Sequence, residues 1–159
     1  MDRNSDRPEA SNEIVTRRLL DAPRELVFQA FTDPEHVVHW WGPTGFRNTV
    51  SVMDVRPGGV WRFMMHGPDG TDYPNRIEYT QVEAPALLAW AHFEDNGSPT
   101  PAFHAVATFE TRGTQTALTL RLVFDSAAAR DKTAKDHGAV EGGKQTMERL
   151  ALYLPTMRG

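Results

Sequence analysis

The chain has 159 residues and a formal net charge of −4, so it offers no basic surface of the kind that binds nucleic acid. Apolar residues make up 40% and there is no cysteine, which excludes disulfides and thiolate metal sites. No apolar run is long enough to span a membrane, and the polar first residues contain no secretory signal. We therefore expect a cytoplasmic protein with a flexible tail over residues 1–12 and one domain over residues 13–155.

The domain begins with a predicted strand followed by two short helices. Residues 13–20 are a short β-branched run, which is typical of a strand. Residues 24–32 place apolar side chains at helical spacing. Asp33 and Pro34 are typical of an N-cap and a first helical position, and they predict a second helix of about two turns that ends at Gly42.

From residue 49 to residue 124, apolar and polar side chains alternate with a period of two. Short turn sequences rich in Gly, Pro and Asn separate six such runs, which predicts antiparallel strands joined in chain order. The predicted strands are residues 49–56, 60–66, 75–82, 87–94, 103–111 and 117–124.

The register of the last hairpin can be derived from its side chains. Pairing across the turn at 112–115 places eight apolar side chains on one face, and a slip of one residue would move them all to the other face. His104 then falls on the opposite face. The small residues in the middle of the apolar face leave room beside the sheet. The pairs are Phe109 with Leu118, Ala107 with Leu120, Ala105 with Leu122 and Phe103 with Phe124.

After residue 126 the chain is predicted to be helical. Glycines at 138, 142 and 143 are expected to break it into a short piece and a long final helix. One face of the final helix is apolar and the other is polar, so it is expected to lie across the sheet. The apolar face contains Met147, Leu150 and Leu154 and is extended by Val140, and the polar face contains Lys144, Glu148 and Arg149.

This order of elements predicts an α+β helix-grip fold. A seven-stranded antiparallel sheet curls around a long C-terminal helix, with two short helices after strand 1. Because one helix cannot fill the concave face of so wide a sheet, we expect a cavity between the helix and the sheet.

Five segments resemble the SRPBCC (START-like) superfamily, and within it the family named after the activator of the 90-kDa heat-shock protein ATPase. They are DAPRELVFQAFTDPEHVVHWWGP (21–43), RPGGVWRFMMHGPDG (56–70), NRIEYTQVEAPALLAW (75–90), FHAVATFE (103–110) and GAVEGGKQTMERLALYL (138–154). The resemblance implies the helix-grip fold. It does not select one activity, because the superfamily includes lipid and polyketide binders, aromatase/cyclases, self-resistance proteins and co-chaperone domains.

Two adjacent tryptophans, Trp40 and Trp41, come before Gly42-Pro43. Neighbouring helical residues point about 100° apart, so the two indoles cannot face the same way. One is expected to pack in the core, and the other either covers the helix end or forms the rim of the cavity. The apolar residues Val37 and Val38 before it favour Trp41 for the cavity.

Inward-facing aromatic and thioether side chains are candidates for the cavity wall, although the same pattern is typical of an ordinary core. The candidates are Trp61, Phe63, Met65, Trp90, Phe103, Phe124 and Met147.

Three polar residues on the predicted strands are further candidates for ligand contacts. His92 is either a hydrogen-bonded core histidine or a proton carrier in the cavity. Arg76 either pairs with Glu78 or Glu94 in solvent, or points inward and binds a carboxylate or phenolate. Tyr79 is a candidate inward hydroxyl donor.

The favoured interpretation is a cytoplasmic binding protein for a small hydrophobic or aromatic ligand, without cofactor or metal and possible as a homodimer. The first alternative is an enzyme of the cyclase/aromatase or hydrolase kind, with His92 as general acid/base. The second is an interaction module for a chaperone or another protein, which the family name implies together with a stress response.

Overall fold

Seven antiparallel strands form a single sheet in the computed structural model, which describes residues 8–157 apart from the side chain of His137. The strands are β1 Glu13–Leu20, β2 Arg47–Met53, β3 Val60–His66, β4 Asp72–Glu83, β5 Leu87–Glu94, β6 Phe103–Arg112 and β7 Gln115–Val123. The first strand pairs with the last one, so the order across the sheet is β1-β7-β6-β5-β4-β3-β2.

Four helices complete the fold: α1 Arg24–Thr32, α2 Pro34–Val37, α3 Ala127–His137 and α4 Ala139–Met157. The Asp33 side chain accepts a hydrogen bond of 2.9 Å from the Glu35 amide, so it caps α2 as predicted. The predicted extension of α2 to Gly42 is wrong, because the backbone after Val37 continues as turns. The predicted α+β helix-grip class is confirmed.

The predicted hairpin register is confirmed where β6 and β7 pair, with Phe109 opposite Leu118. The predicted pairing of Phe103 with Phe124 lies beyond the ladder, because β7 ends at Val123. The two rings nevertheless lie 5.4 Å apart.

The predicted break at Gly138 is confirmed, since this residue has φ 58° and separates α3 from α4. The predicted break at Gly142-Gly143 is wrong. A Cβ at Gly143 would lie 2.8 Å from Oγ1 of Thr16, so the glycine allows α4 to approach β1 closely. Val140 is 38% exposed and does not extend the apolar face, because Ala139, Gly142 and Gly143 take the inward positions of that turn.

At one end of the fold, α1 packs against β6 and β7, and the C-terminal half of α4 joins the same core. The Phe109 ring lies 5.3 Å from Phe28 and 5.1 Å from Phe31, both edge to face. Leu150 and Leu154 of α4 are buried in the same core. We call this region the filled end.

The chain before β1 contacts the body of the fold from residue 8 onward, since the Pro8 carbonyl accepts a hydrogen bond of 3.5 Å from Arg121. Glu9 forms an ion pair of 3.3 Å with Arg130, and the Asn12 side chain donates a hydrogen bond of 2.9 Å to the Phe124 carbonyl. The rest of the predicted flexible tail, residues 1–7, lies outside the described residues. Among the described helices, none is both long and apolar enough to cross a membrane.

Candidate functional site

A cavity of about 750 Å³ lies between the first two turns of α4 and the concave side of the sheet, next to the filled end. We call this region the hollow end. Its inner wall is mainly apolar and is formed by Phe31, Trp41, Met65, Trp90, Phe103, Leu120, Leu122 and Met147. The start of the helix contributes only small side chains above it, at Ala139, Gly142 and Gly143, which is why space remains there before Thr146 and Met147 reach the wall. The predicted small residues Ala105 and Ala107 are instead fully covered in the core.

The two adjacent tryptophans have different positions. Trp40 is fully buried, and its indole N–H donates a hydrogen bond of 3.0 Å to the Ala30 carbonyl. Trp41 is half-buried and forms part of the cavity wall. Its ring lies 4.8 Å from Trp61 and 6.3 Å from Trp90, so it is held in place by other aromatic rings.

Six of the predicted ligand contacts lie on the cavity wall: Trp41, Met65, Trp90, His92, Phe103 and Met147. Trp61 and Phe63 are on the same face of β3 but lie behind the wall, stacked on each other at 4.1 Å. They do not face the open space because the Trp41 ring covers both of them. Their contribution is to support Trp41.

Tyr79 and Phe124 also lie away from the cavity wall. Tyr79 is 3% exposed within the core, and burial raises the pKa of its hydroxyl far above its usual value. Phe124 is buried behind the ring of Phe103. Both positions differ from the prediction because other side chains lie between them and the open space.

Arg76 points to the opposite face of the sheet. Side chains alternate along β4, so Arg76 and Glu78 face outward while Ile77 faces inward. The guanidinium forms an ion pair of 3.1 Å with Glu78 and lies 4.1 Å above the Phe93 ring. The predicted alternative of an outward ion pair with Glu78 is therefore the one observed, and Arg76 cannot bind an anion in the cavity.

His92 belongs to a short hydrogen-bond chain in the cavity wall. The Asn75 amide nitrogen donates to the Tyr73 carbonyl at 2.9 Å, and its oxygen lies 2.8 Å from Nε2 of His92. Because a carbonyl only accepts, the amide orientation is fixed, and Nε2 must carry the hydrogen that it donates to Asn75. Burial lowers the pKa of His92 to about 4, so the ring is neutral at pH 7.

This arrangement leaves Nδ1 of His92 as a hydrogen-bond acceptor, and it has no partner among residues 8–157. The Phe103 ring lies 4.7 Å from the imidazole, and the Phe63 ring lies 6.3 Å away. The indole N–H of Trp90 is buried and likewise has no acceptor in the described part of the chain. A buried polar group without a partner is uncommon in protein interiors, and the Trp90 N–H is one. Nδ1 of His92 is not enclosed in this way and is therefore open to a partner from the cavity.

The mouth of the cavity is polar and acidic. Glu94 and Asp136 lie there, together with Asn96 and Thr133. Lys132 forms an ion pair of 2.9 Å with Asp136, and this contact raises the pKa of the lysine. Of the side chains that the structure describes around the cavity, none is Lys or Arg. No group of three described His, Asp or Glu residues is placed to hold a metal ion.

Arg149 lies on the predicted polar face of α4, and it has a structural role there that the sequence analysis did not assign. Its guanidinium donates hydrogen bonds to backbone carbonyls of the segment that carries Trp41. The acceptors are Trp41 at 3.1 Å, Gly42 at 2.8 Å, Pro43 at 2.9 Å, His39 at 3.3 Å and Phe46 at 3.0 Å. Nothing in the local sequence indicates this role, because donor and acceptors are more than 100 residues apart. Arg149 is thus a positioning residue for the cavity wall.

Comparison with known proteins supplies the family. The profile of the family described as Activator of Hsp90 ATPase homolog 1-like protein matches residues 21–155. A search of curated proteins found no match.

Solved structures from three bacteria share the fold. A crystal structure from Mycobacterium smegmatis is 26% identical, with a TM-score of 0.79, covering 89% of this chain and 90% of that one. A solution structure from Arthrobacter aurescens is 26% identical, with a TM-score of 0.83, covering 92% of this chain and 87% of that one. A crystal structure from Nitrosomonas europaea is 24% identical, with a TM-score of 0.81, covering 95% of this chain and 99% of that one. Because the profile spans most of the domain, the chain belongs to the Activator of Hsp90 ATPase homolog 1-like family.

Proposed function

We propose that this protein binds a small hydrophobic or aromatic molecule in the cavity of the hollow end. The observation that carries the proposal is the space of about 750 Å³ beneath α4. Ligand pockets for small molecules occupy roughly 300–1,000 Å³ and have mainly apolar walls with a few polar groups. The cavity has this size and this composition.

The chemistry of the wall supports a flat, apolar ligand. Trp41 and Trp90 offer aromatic surface, and Met65 and Met147 offer flexible thioethers that adapt to the shape of a ligand. The segment that carries Trp41 is fixed by Arg149, so this part of the wall exists before a ligand enters. A preformed wall lowers the entropy cost of binding.

The test is a ligand panel with a matched pair of variants. Fluorescent hydrophobes and flavonoid-like compounds are expected to bind wild-type protein and to raise its melting temperature. Trp41→Ala removes a large part of the wall and is expected to weaken binding about ten-fold or more. Leu152→Ala truncates an apolar residue that is 69% exposed on α4, and it is expected to leave binding unchanged. Failure of the whole panel to bind wild-type protein would contradict the proposal.

A complementary measurement needs no choice of compound. Mass spectrometry of the natively purified protein is expected to detect a small molecule that leaves on denaturation. Trp41→Ala is expected to purify with less of it than Leu152→Ala. Equal amounts in the two variants would place the molecule outside this cavity.

One observation favours a second candidate, an enzyme of the cyclase/aromatase or hydrolase kind. The unpaired Nδ1 of His92 is a base next to the cavity. With a pKa of about 4 it is a weak base at neutral pH, and binding is therefore proposed first. Conversion of a bound compound by wild-type protein, lost in His92→Gln while binding remains, would establish the enzyme instead.

A chaperone-like partner, a stress response, a homodimer and a cytoplasmic location stay predictions. The family name motivates the first two, and the composition motivates the last. A pull-down from lysate with wild-type protein and with Leu152→Ala tests for a protein partner. It is independent of ligand binding, because Leu152→Ala is expected to leave ligand binding unchanged.

A further inference from the structure

We infer that the ligand of this cavity is an uncharged aromatic molecule with a hydroxyl group, and that the hydroxyl donates a hydrogen bond to Nδ1 of His92. This inference rests on the proposed function. It goes further because it specifies the charge of the ligand and the polar group that it carries.

The first reason is the fixed tautomer of His92. The Tyr73 carbonyl holds the Asn75 amide nitrogen at 2.9 Å, and the amide oxygen then takes the Nε2 hydrogen at 2.8 Å. The neutral ring can therefore only accept at Nδ1. A ligand that carries a donor satisfies this atom, whereas a ligand with only acceptors places two lone pairs against each other.

The second reason is that the imidazole is packed between aromatic rings. The Phe103 ring lies 4.7 Å from it at a tilt of 30°, and the Phe63 ring lies 6.3 Å away in an edge-to-face arrangement. These contacts, together with the hydrogen bond to Asn75, hold the ring in one orientation. The acceptor thus has a fixed direction, which makes it selective for the position of a donor on a rigid ligand.

The third reason is the charge around the cavity. Glu94 and Asp136 stand at the mouth, and the described wall contains no Lys or Arg. Lys132, next to the mouth, forms an ion pair with Asp136. An anionic ligand would lose its hydration without meeting a cation, and such a transfer is strongly unfavourable. We therefore expect carboxylates, including fatty acids, to bind weakly inside the cavity.

Three probes of similar shape separate these effects: 2-naphthol, 2-methoxynaphthalene and 2-naphthoate, each titrated calorimetrically at neutral pH. Naphthol is uncharged and carries a donor, the methyl ether carries only an acceptor, and naphthoate is an anion. Naphthol is expected to bind about three- to ten-fold more tightly than the ether, the effect of one hydrogen bond. Naphthoate is expected to bind at least about 30-fold more weakly than naphthol.

Two variants test whether Nδ1 of His92 is the atom that accepts the hydrogen bond from the ligand. His92→Phe keeps an aromatic ring against Phe103 but removes both nitrogens, and it is expected to abolish the preference for naphthol while the ether still binds. Because that change leaves Asn75 without its partner, the double variant His92→Phe with Asn75→Leu removes both polar groups and guards against misfolding. Loss of the preference in a variant that still binds the ether supports the inference. A preference that persists in a folded variant overturns it.

A further pair of variants locates the charge selection. Glu94→Gln with Asp136→Asn is expected to strengthen naphthoate binding several-fold and to leave naphthol binding unchanged. Glu25→Gln with Glu83→Gln removes the same number of charges elsewhere on the surface and is expected to change neither. If both pairs change naphthoate binding equally, the selection reflects net charge and not the mouth.

The results for wild-type protein distinguish a failure of the proposed function from a failure of the inference about the hydroxyl group and charge of the ligand. Binding of none of the three probes contradicts the proposed function for aromatic compounds of this size. Equal binding of naphthol and its ether leaves the proposed function standing and overturns the donor inference. Tight binding of naphthoate overturns the charge inference in the same way.

Discussion

The filled end and the hollow end lie under the same helix and against the same sheet, yet one is solid and the other contains a cavity. At the filled end, α4 presents Leu150 and Leu154, and α1 adds Phe28 and Phe31 from the side. At the hollow end, α4 presents mainly small residues, α1 reaches the wall only with Phe31, and α3 contributes only Thr133 and Asp136 at the mouth. The small residues of the sheet do not explain the position of the cavity, because Ala105 and Ala107 are buried in the core and do not line it. The size of the side chains on α4 determines where the cavity forms.

The comparison between the two ends predicts the largest difference in stability when a phenylalanine ring is removed from each end. Phe109→Ala removes a fully packed ring from the filled end and is expected to lower the free energy of unfolding by about 3–5 kcal/mol. Phe103→Ala removes a half-buried ring from the cavity wall and is expected to cost less than half as much. Urea denaturation of the two variants measures the difference, and equal losses would show that the two ends are packed alike.

The next effect is a pH dependence that originates at the hollow end. The pKa of His92 is about 4 in the folded protein and near 6.5 in the unfolded chain, so the unfolded state binds a proton first as the pH falls. The contribution of His92 to the free energy of unfolding is fully present above pH 6.5. It is expected to be lost as the pH falls toward 4, by about 3 kcal/mol in total. Subtracting the same curve for His92→Gln isolates this contribution from that of all other titratable groups. Parallel curves would mean that His92 is not buried as described.

A smaller loss of stability is expected for variants of Arg149, which fixes the segment that carries Trp41 at the hollow end. Arg149→Met removes the hydrogen bonds to the carbonyls of residues 39–46 and is expected to lower the free energy of unfolding by about 2 kcal/mol. Arg149→Lys keeps the charge but not the five donors, so it is expected to be intermediate. Hydrogen exchange of the amides near Trp41 should increase in step with the loss of stability. Unchanged exchange would show that the segment is rigid on its own.

The smallest effect tests the two glycines above the cavity. A Cβ at Gly142 would meet Pro43 at 3.4 Å, an ordinary contact, so Gly142→Ala is expected to stabilise the protein by about 0.5–1 kcal/mol through helix propensity. A Cβ at Gly143 would lie 2.8 Å from Thr16 Oγ1, so Gly143→Ala is expected to destabilise it by about 1 kcal/mol. Thermal denaturation gives the signs, and two shifts of the same sign would contradict this description of α4.

The sequence predicted the features that depend on neighbouring residues. The β-branched run at residues 13–20 placed β1 at its observed bounds, and the alternation of apolar and polar side chains did so for β3 and β5. The turn at 112–115 placed Phe109 opposite Leu118. Asp33 was recognised as a cap because capping needs only the next two residues. Such patterns fix each element and, through the order of elements, the fold.

The features that sequence reasoning missed depend on distant residues. Glycines normally weaken a helix, but α4 continues through Gly142 and Gly143 because it packs closely against Thr16 of β1. The role of Arg149 requires a segment that lies more than 100 residues earlier in the chain. The alternation along β3 placed Trp61 inward correctly, but it could not show that Trp41 would cover it.

The pairing of the first strand with the last one has a consequence for how the protein forms. Glu13 lies opposite Val123, so β1 has no neighbour in the sheet until β7, more than 100 residues later, has been synthesised. Contacts between residues so far apart close large loops, and proteins built on them fold slowly. Since the roof of the cavity is the first part of α4, a nascent chain on the ribosome cannot hold a ligand before residues 139–147 emerge.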